Sequence, residues 1–284
     1  MKFLIYGFNS WIGNQIKDLL LTQNHEVVMS KINIENREEI LQELQKIKPD
    51  RVINCAGKTG RPNVDWCEDH KIETIRSNIL GLINLIDCCY INNIHITNCH
   101  TGCLYEYDEN HKEFSGNGFK EEDEHNFKGS FYSLTKGYVE NIIKFYPNLL
   151  SLRFRFCVTP DYNHRSILTK ILKYDKIVNV QNSISVLPDL LPTLIDMSIT
   201  EKTGIYNFVN PGTMSHNEML DLYIKYVDPN YKYINFTVEE QSKILKAGRS
   251  NNELNVDKLL KLYPNIPEIK KSMEKIIKQL PGPI

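Results

Sequence analysis

The run Lys2-Phe3-Leu4-Ile5-Tyr6-Gly7-Phe8-Asn9-Ser10-Trp11-Ile12-Gly13 decides the fold. An unbroken apolar strand, Lys2–Tyr6, passes straight into a glycine turn. The turn opens an amphipathic helix over Asn14–Gln23, with Ile16, Leu19 and Leu20 on one side. A strand with no polar alternation is buried on both faces, as in a parallel sheet covered by helices. A glycine turn between such a strand and a helix is the setting of a dinucleotide fingerprint. Helix N-terminal amides and the positive end of the helix dipole there hold a pyrophosphate. The usual spacing is Gly-x-x-Gly-x-x-Gly, and Ser10 stands in its middle place. Gly7, Asn9, Ser10, Trp11, Ile12 and Gly13 are the candidate cofactor contacts.

The alternation continues downstream. Strands are expected at Glu26–Met29, Arg51–Cys55, Ile94–Asn98 and Leu149–Phe156. Helices are expected at Arg37–Ile47, Ile72–Asn92 and Ser133–Phe145. This predicts an α/β fold, a Rossmann-type doubly wound parallel sheet. Beyond residue 158 the pattern loosens. Ile167–Tyr174, Asn217–Val227, Leu254–Leu262 and Pro267–Gln279 read as helices, the last with its proline in the first turn. Ile177–Val180, Ser183–Leu187 and Ile205–Phe208 read as short strands. The expected organisation is a dinucleotide-binding domain over 1–157 and a smaller, mainly substrate-binding C-terminal lobe over 158–284, with some segments crossing between them.

The totals narrow the function classes. A chain of 284 residues holds a sizeable core, and a net charge of −1 speaks against nucleic acid as partner. No apolar run approaches the roughly 20 residues that span a bilayer, and the start does not read as a secretory signal. Seven scattered cysteines with no Cys-x-x-Cys pair read as a reduced, cytoplasmic chain without a metal site.

Two further stretches carry chemistry: Asn98-Cys99-His100-Thr101-Gly102-Cys103-Leu104-Tyr105 and Tyr132-Ser133-Leu134-Thr135-Lys136. Delivery of a hydride to a ketone leaves negative charge on oxygen, and a proton must follow. A free phenol has a pKa of about 10, too high to yield its proton quickly unless the anion is stabilised. A lysine four residues on along a helix shares the face of the tyrosine, so Lys136 can both activate Tyr132 and hold the nicotinamide ribose. Thr101, at the end of an apolar strand, can donate to the developing oxyanion. Cys103 sets a thiol beside the same carbonyl. A ketone acidifies the hydrogens on its neighbouring carbons, so a thiolate there suggests epimerisation of a keto sugar before its reduction. A free thiol near pKa 8.5 needs a nearby cation or dipole to serve as that base.

The second expected strand ends Val27-Val28-Met29-Ser30-Lys31, without the terminal acid that binds the ribose hydroxyls of NAD. Ser30 and Lys31 instead suit a 2′-phosphate, so NADPH is the expected cofactor, with NADH left open.

The residues together resemble the extended short-chain dehydrogenase/reductases. Within them they resemble the bifunctional UDP-4-keto-6-deoxy-D-glucose 3,5-epimerase/4-reductases of UDP-L-rhamnose synthesis, known from plants. The resemblance rests on Gly60–His70, Thr101-Gly102-Cys103, Gly118–Asp123, Gly129–Lys136, Asn210–Glu218 and Arg249–Leu254. Ser10 departs from the glycine of the family loop. The resemblance implies UDP-4-keto-6-deoxy-D-glucose as substrate and NADPH as hydride donor. It implies Cys103 as the epimerase base, by the position a cysteine takes in the related GDP-fucose synthase. Lys170 falls where that enzyme has its partner acid, with Lys173 and Lys176 close by.

For substrate grip, Arg61 and Arg249 are candidates for phosphate, Arg249 the better one, and Asn179 and Val180 for the uracil pocket. A homodimer formed through two long helices per subunit is expected for this fold. The competing readings are a 4-keto reductase with Cys103 silent, a non-catalytic nucleotide-sugar or NADPH sensor, and a 4,6-dehydratase. The last would place an acid pair where Gly102-Cys103 stands.

Overall fold

The computed structural model describes residues 1–284. Strand β1 spans Lys2–Tyr6, helix α1 Trp11–Thr22, β2 Glu26–Ser30, α2 Arg37–Ile47 and β3 Arg51–Asn54. Two short helices, α3 (Trp66–Asp69) and α4 (Lys71–Ile75), precede a π-helical turn at Arg76–Gly81, which runs into α5 (Leu82–Ile91). Then come β4 (His95–Thr101), α6 (Phe131–Ile143), β5 (Leu149–Phe154), α7 (Ile167–Ile171), α8 (Leu187–Ile199) and β6 (Gly204–Asn207). The chain finishes with α9 (His216–Tyr226), α10 (Val238–Ser242), α11 (Asp257–Leu262) and α12 (Ile269–Lys278).

The chain divides into two compact units. The first holds residues 1–104, 127–153 and 191–206; the second holds 105–126, 154–190 and 207–284.

The six strands form one sheet in the order β2-β1-β3-β4-β5-β6. The β1–β2, β1–β3 and β3–β4 pairs are parallel, with Tyr6 opposite Ser30 on one side and Asn54 on the other. Phe3, Leu4, Ile5 and Tyr6 are all fully buried, as two-sided coverage requires. On one face Leu4, Val52 and Ile96 pack with Ile40, Leu44, Leu85, Ile86, Val139 and Ile143 from α2, α5 and α6. The chain leaves β1 toward β2 and later returns to the other side of β1 to lay down β3. The strand order therefore reverses between β1 and β3. In open α/β sheets ligands bind beyond the C-terminal strand ends at such a reversal.

The second unit has its own core, in which Ile167, Leu168 and Ile171 of α7 meet Met219, Leu220 and Tyr223 of α9 and Met273, Ile276 and Ile277 of α12.

Several expected boundaries move. The helix expected at Asn14 starts at Trp11, because Ser10 caps it. Likewise α6 starts at Phe131 rather than Ser133, because the Ser130 Oγ accepts the Ser133 N–H at 3.1 Å. The expected single helix Ile72–Asn92 is three segments, with the π turn inside. The expected strands Ile177–Val180 and Ser183–Leu187 are irregular chain with isolated bridges at Ile177, Asn182 and Val186. Leu187 opens α8, which carries Pro192 in its interior and had no counterpart in the sequence reading. Leu254 makes a bridge to Phe119 rather than opening a helix, and α11 begins at Asp257. Pro267 precedes the cap of α12 instead of lying in its first turn.

Candidate active site

The glycine turn sits at the strand-order reversal. Gly7 follows β1 with φ +98°, and a Cβ there would come within 2.7 Å of the Cys55 carbonyl carbon just past β3. No other residue fits that backbone and that gap. Ser10, the departure from the family loop, is the N-cap of α1. Its Oγ accepts the Gly13 N–H at 3.1 Å. With Gly13 capped and Asn14 bonded to the Ser10 carbonyl at 3.0 Å, the amides of Trp11 and Ile12 are the open donors of the first turn. Strain-tolerant Gly7, a close backbone approach and two outward amides fit a pyrophosphate.

Ser30 and Lys31 end β2 differently from each other. Ser30 is buried, and its hydroxyl donates to Glu43 Oε2 at 2.6 Å. The sequence showed no acid at this strand end, yet Glu43 of α2 brings one there in space. Lys31 is exposed and lies 5.1 Å from the centroid of the Phe8 ring.

The candidate reductase residues Thr101, Tyr132 and Lys136 share the first unit. Thr101 is the last residue of β4, which extends three residues beyond its expected end. The Thr101 Oγ accepts the Cys103 backbone N–H at 3.1 Å. That contact closes the turn carrying the thiol and leaves the hydroxyl hydrogen of Thr101 to be donated. Tyr132 and Lys136 lie in the first two turns of α6, both buried. The Lys136 Nζ is 3.4 Å from where a Gly57 Cβ would stand, and Asn78 Oδ1 is 3.3 Å from the same point. Asn78, in the π turn, accepts the Lys58 N–H at 2.8 Å and donates to the Lys58 carbonyl at 2.9 Å. It fixes the loop leaving β3 beside Lys136. Burial pulls the pKa of Lys136 down to about 8, with Cys67, Cys99 and Glu140 opposing that fall.

Two further residues brace this region. Glu68 of α3 accepts the Phe131 N–H through its Oε1 at the start of α6. His100, next to Thr101, is buried with Nδ1 3.5 Å from Glu140 Oε2. Burial lowers its pKa to about 4, so it is neutral at pH 7. Arg61 is exposed on the loop after β3.

The remaining candidates belong to the second unit. Lys170 is on α7 and half-buried; burial lowers its pKa, with Cys157 opposing and Arg165 adding to the fall. Arg249 donates from Nη1 to the Ala247 carbonyl at 2.7 Å. Its neighbours are structural: Ser250 Oγ and Asn252 Nδ2 both donate to the Tyr105 carbonyl, at 2.6 and 2.8 Å. Asn210, from another family-like run, bonds to Val186, Asp189 and Pro267. Much of what makes these runs selective is packing. Asn179 is exposed and Val180 half-buried.

A family model described as the NAD dependent epimerase/dehydratase family matches residues 3–158. The chain belongs to that family. A bifunctional dTDP-4-dehydrorhamnose 3,5-epimerase/dTDP-4-dehydrorhamnose reductase of Arabidopsis thaliana is 46% identical over 277 residues, covering 97% of this chain and 92% of that protein. A trifunctional UDP-glucose 4,6-dehydratase/UDP-4-keto-6-deoxy-D-glucose 3,5-epimerase/UDP-4-keto-L-rhamnose-reductase of the same plant is 48% identical over 276 residues. It is matched over 97% of this chain but only 41% of its own length, so the chain spans less than half of that relative. The crystal structure of a UDP-rhamnose synthase from Acanthamoeba polyphaga mimivirus superposes with a TM-score of 0.94 at 38% identity, over 99% of each chain. The resemblance drawn from short runs thus extends over almost the whole chain. No helix is long and apolar enough to cross a membrane.

Proposed function

We propose that this chain epimerises UDP-4-keto-6-deoxy-D-glucose at C3 and C5 and then reduces its C4 ketone to give UDP-L-rhamnose. The supporting observation is the hydrogen bond from the Cys103 N–H to the Thr101 Oγ, which ties the candidate base to the candidate oxyanion donor. The relatives whose names carry both activities support the same reading.

In this reading Gly7, Asn9, Ser10, Trp11, Ile12 and Gly13 hold the dinucleotide phosphates, and Tyr132 and Lys136 hold its nicotinamide ribose. When bound, the reduced nicotinamide supplies the hydride for C4. The 2′ end has two neighbours. Lys31 offers a cation to a 2′-phosphate, whereas Glu43, engaged by Ser30, offers a carboxylate to free ribose hydroxyls. NADPH is therefore the proposed donor, with NADH also accepted.

The protein's own groups act on the sugar carbonyl. Thr101 donates a hydrogen bond to the C4 oxygen. Tyr132 protonates that oxygen, and the Lys136 ammonium holds down the cost of the phenolate left behind. With a pKa of about 8, Lys136 is mostly charged at pH 7. The same oxyanion grip stabilises the enolate when the Cys103 thiolate removes the C3 or C5 proton. Lys170, its pKa lowered by burial, returns a proton to the opposite ring face. Arg61 and Arg249 are assigned to the UDP phosphates, and Asn179 and Val180 to the uracil. Residues 1–157 serve mainly the dinucleotide and residues 158–284 mainly the UDP-sugar, in a cytoplasmic homodimer.

Incubation with UDP-4-keto-6-deoxy-D-glucose in heavy water tests the reading. Deuterium should enter C3 and C5 without reductant, and UDP-L-rhamnose should form only when a reduced nicotinamide, NADPH or NADH, is supplied. Reduction without exchange would favour the runner-up, a 4-keto reductase with Cys103 silent. Neither exchange nor NADPH oxidation would overturn both.

A further inference from the structure

Cys103 aside, the thiols have no part in this chemistry, yet two of them meet. Asn54 and Asn98 are partners across β3 and β4, and their side chains share a hydrogen bond of 2.9 Å. One residue further along each strand the side chains turn to the other sheet face. There the Cys55 and Cys99 sulfurs lie 3.6 Å apart. Directly paired residues on neighbouring strands have Cα atoms about 4.8 Å apart, inside the ~4.4–6.8 Å that a disulfide spans. Both thiols are half-buried, whereas Cys67, Cys88 and Cys89 are buried. Burial holds those three thiols above their usual range, which makes them slow nucleophiles.

The pair sits under the cofactor turn. A Cβ on Gly13 would be 3.3 Å from the Cys55 Cβ and 3.5 Å from its sulfur, and Gly7 packs on the Cys55 backbone. Cys99 precedes Thr101 by two residues and lies within electrostatic reach of Lys136.

We infer that Cys55 and Cys99 form a peroxide-sensitive dithiol whose oxidation to a disulfide loosens the glycine turn. The effect on ligand binding rests on that turn holding NADPH, as proposed above. One thiolate attacks hydrogen peroxide to give a sulfenic acid and hydroxide. The second thiol attacks that sulfur and expels water. In sum, two thiols and one peroxide give one disulfide and two waters. The sulfurs close from 3.6 Å to about 2.05 Å, which draws Cys55 toward β4 and away from its contact with Gly13.

The test uses the whole protein, reduced or treated with a small excess of hydrogen peroxide. It combines peptide mapping by mass spectrometry with fluorescence titration of NADPH. The expected result is a Cys55–Cys99 cross-linked peptide pair lighter by two hydrogens, with NADPH affinity at least tenfold weaker and restored by dithiothreitol. Cys99→Ser should bind NADPH as the reduced wild type does and lose the peroxide effect. A first disulfide formed elsewhere, or a Cys55–Cys99 disulfide with unchanged affinity, would overturn the inference. Failure of the reduced protein to bind NADPH would instead count against the proposed function, and the cross-link map would still decide whether the dithiol exists.

Discussion

Glu68 Oε1 accepts the backbone N–H of Phe131 at 2.7 Å, and Phe131 is the residue before Tyr132. A carboxylate from the short helix α3 therefore anchors the first turn of the helix that presents Tyr132 and Lys136. Charge at that position also complements the helix dipole. Glu68→Ala should lower stability by about 1–2 kcal/mol, read as a lower denaturant midpoint with unchanged slope. It should also slow reduction more than it weakens substrate binding. Glu68→Gln, which keeps an acceptor oxygen, should recover most of both. An alanine variant with wild-type stability and rate would show that the contact is incidental.

The two proposed activities should separate by mutation. Cys103→Ala is expected to lower deuterium exchange at C3 and C5 by on the order of 100-fold or more, while reduction of substrate already epimerised continues. Tyr132→Phe should abolish NADPH oxidation by a comparable factor. Parallel NMR of exchange and absorbance of NADPH distinguish the two outcomes. Equal loss of both activities in Cys103→Ala would refute the division of labour.

Reduction should fall on the alkaline side with an apparent pKa of about 8, because the Lys136 ammonium is lost there. The stability sign runs the other way. The unfolded chain holds this proton up to the usual lysine pKa of about 10.4, so between about 8 and that value stability from this group rises with pH. Below about 8 the buried ammonium is a standing cost. Lys136→Met should accordingly melt at a higher temperature than wild type at pH 7 while losing reductase activity. Calorimetry against pH checks the first half and a pH–rate profile the second.

His100 and His216 predict acid sensitivity. Burial lowers both to about 4, His216 with Arg155 adding to the effect. Unfolding lets each take a proton at about pH 6.5, so the native state loses stability as pH falls from there toward 4. The loss should reach on the order of 2–3 kcal/mol per histidine. His216→Gln should flatten part of this limb in urea titrations run from pH 7 to 4.5; an unchanged slope would argue that other groups dominate.

Gly7→Ala should be among the most damaging small substitutions. It combines a φ of +98° with a Cβ 2.7 Å from a backbone carbon, and the backbone strain alone costs about 1–2 kcal/mol. Lower thermal stability and loss of NADPH binding by titration are expected together. Gly116→Ala has open space around its Cβ, so it pays only the backbone part and should retain binding.

What the sequence determined by itself is local and periodic. Apolar runs of strand length, an apolar helix face and a glycine turn between them fix the parallel sheet and the turn after its first strand, because burial and turn conformation are read within a few residues. The spacing from Tyr132 to Lys136 needs only one helical turn. Some local signals were present but unread: Ser215 and Glu218 form a capping box at α9, and Thr237 and Glu240 form another at α10. Pro188 and Pro192 hid α8, since a helix packed against its surroundings tolerates a proline that an isolated one does not. Only the tertiary structure decided the rest. Glu43 reaches Ser30, Glu68 reaches α6, Asn78 grips the Lys58 backbone and Cys55 meets Cys99. Each partner lies 13 to 63 residues from the other along the chain. Such pairings follow from strand order and helix docking, which minimise the burial of unpaired polar groups over the whole molecule and leave no trace in any short window of sequence.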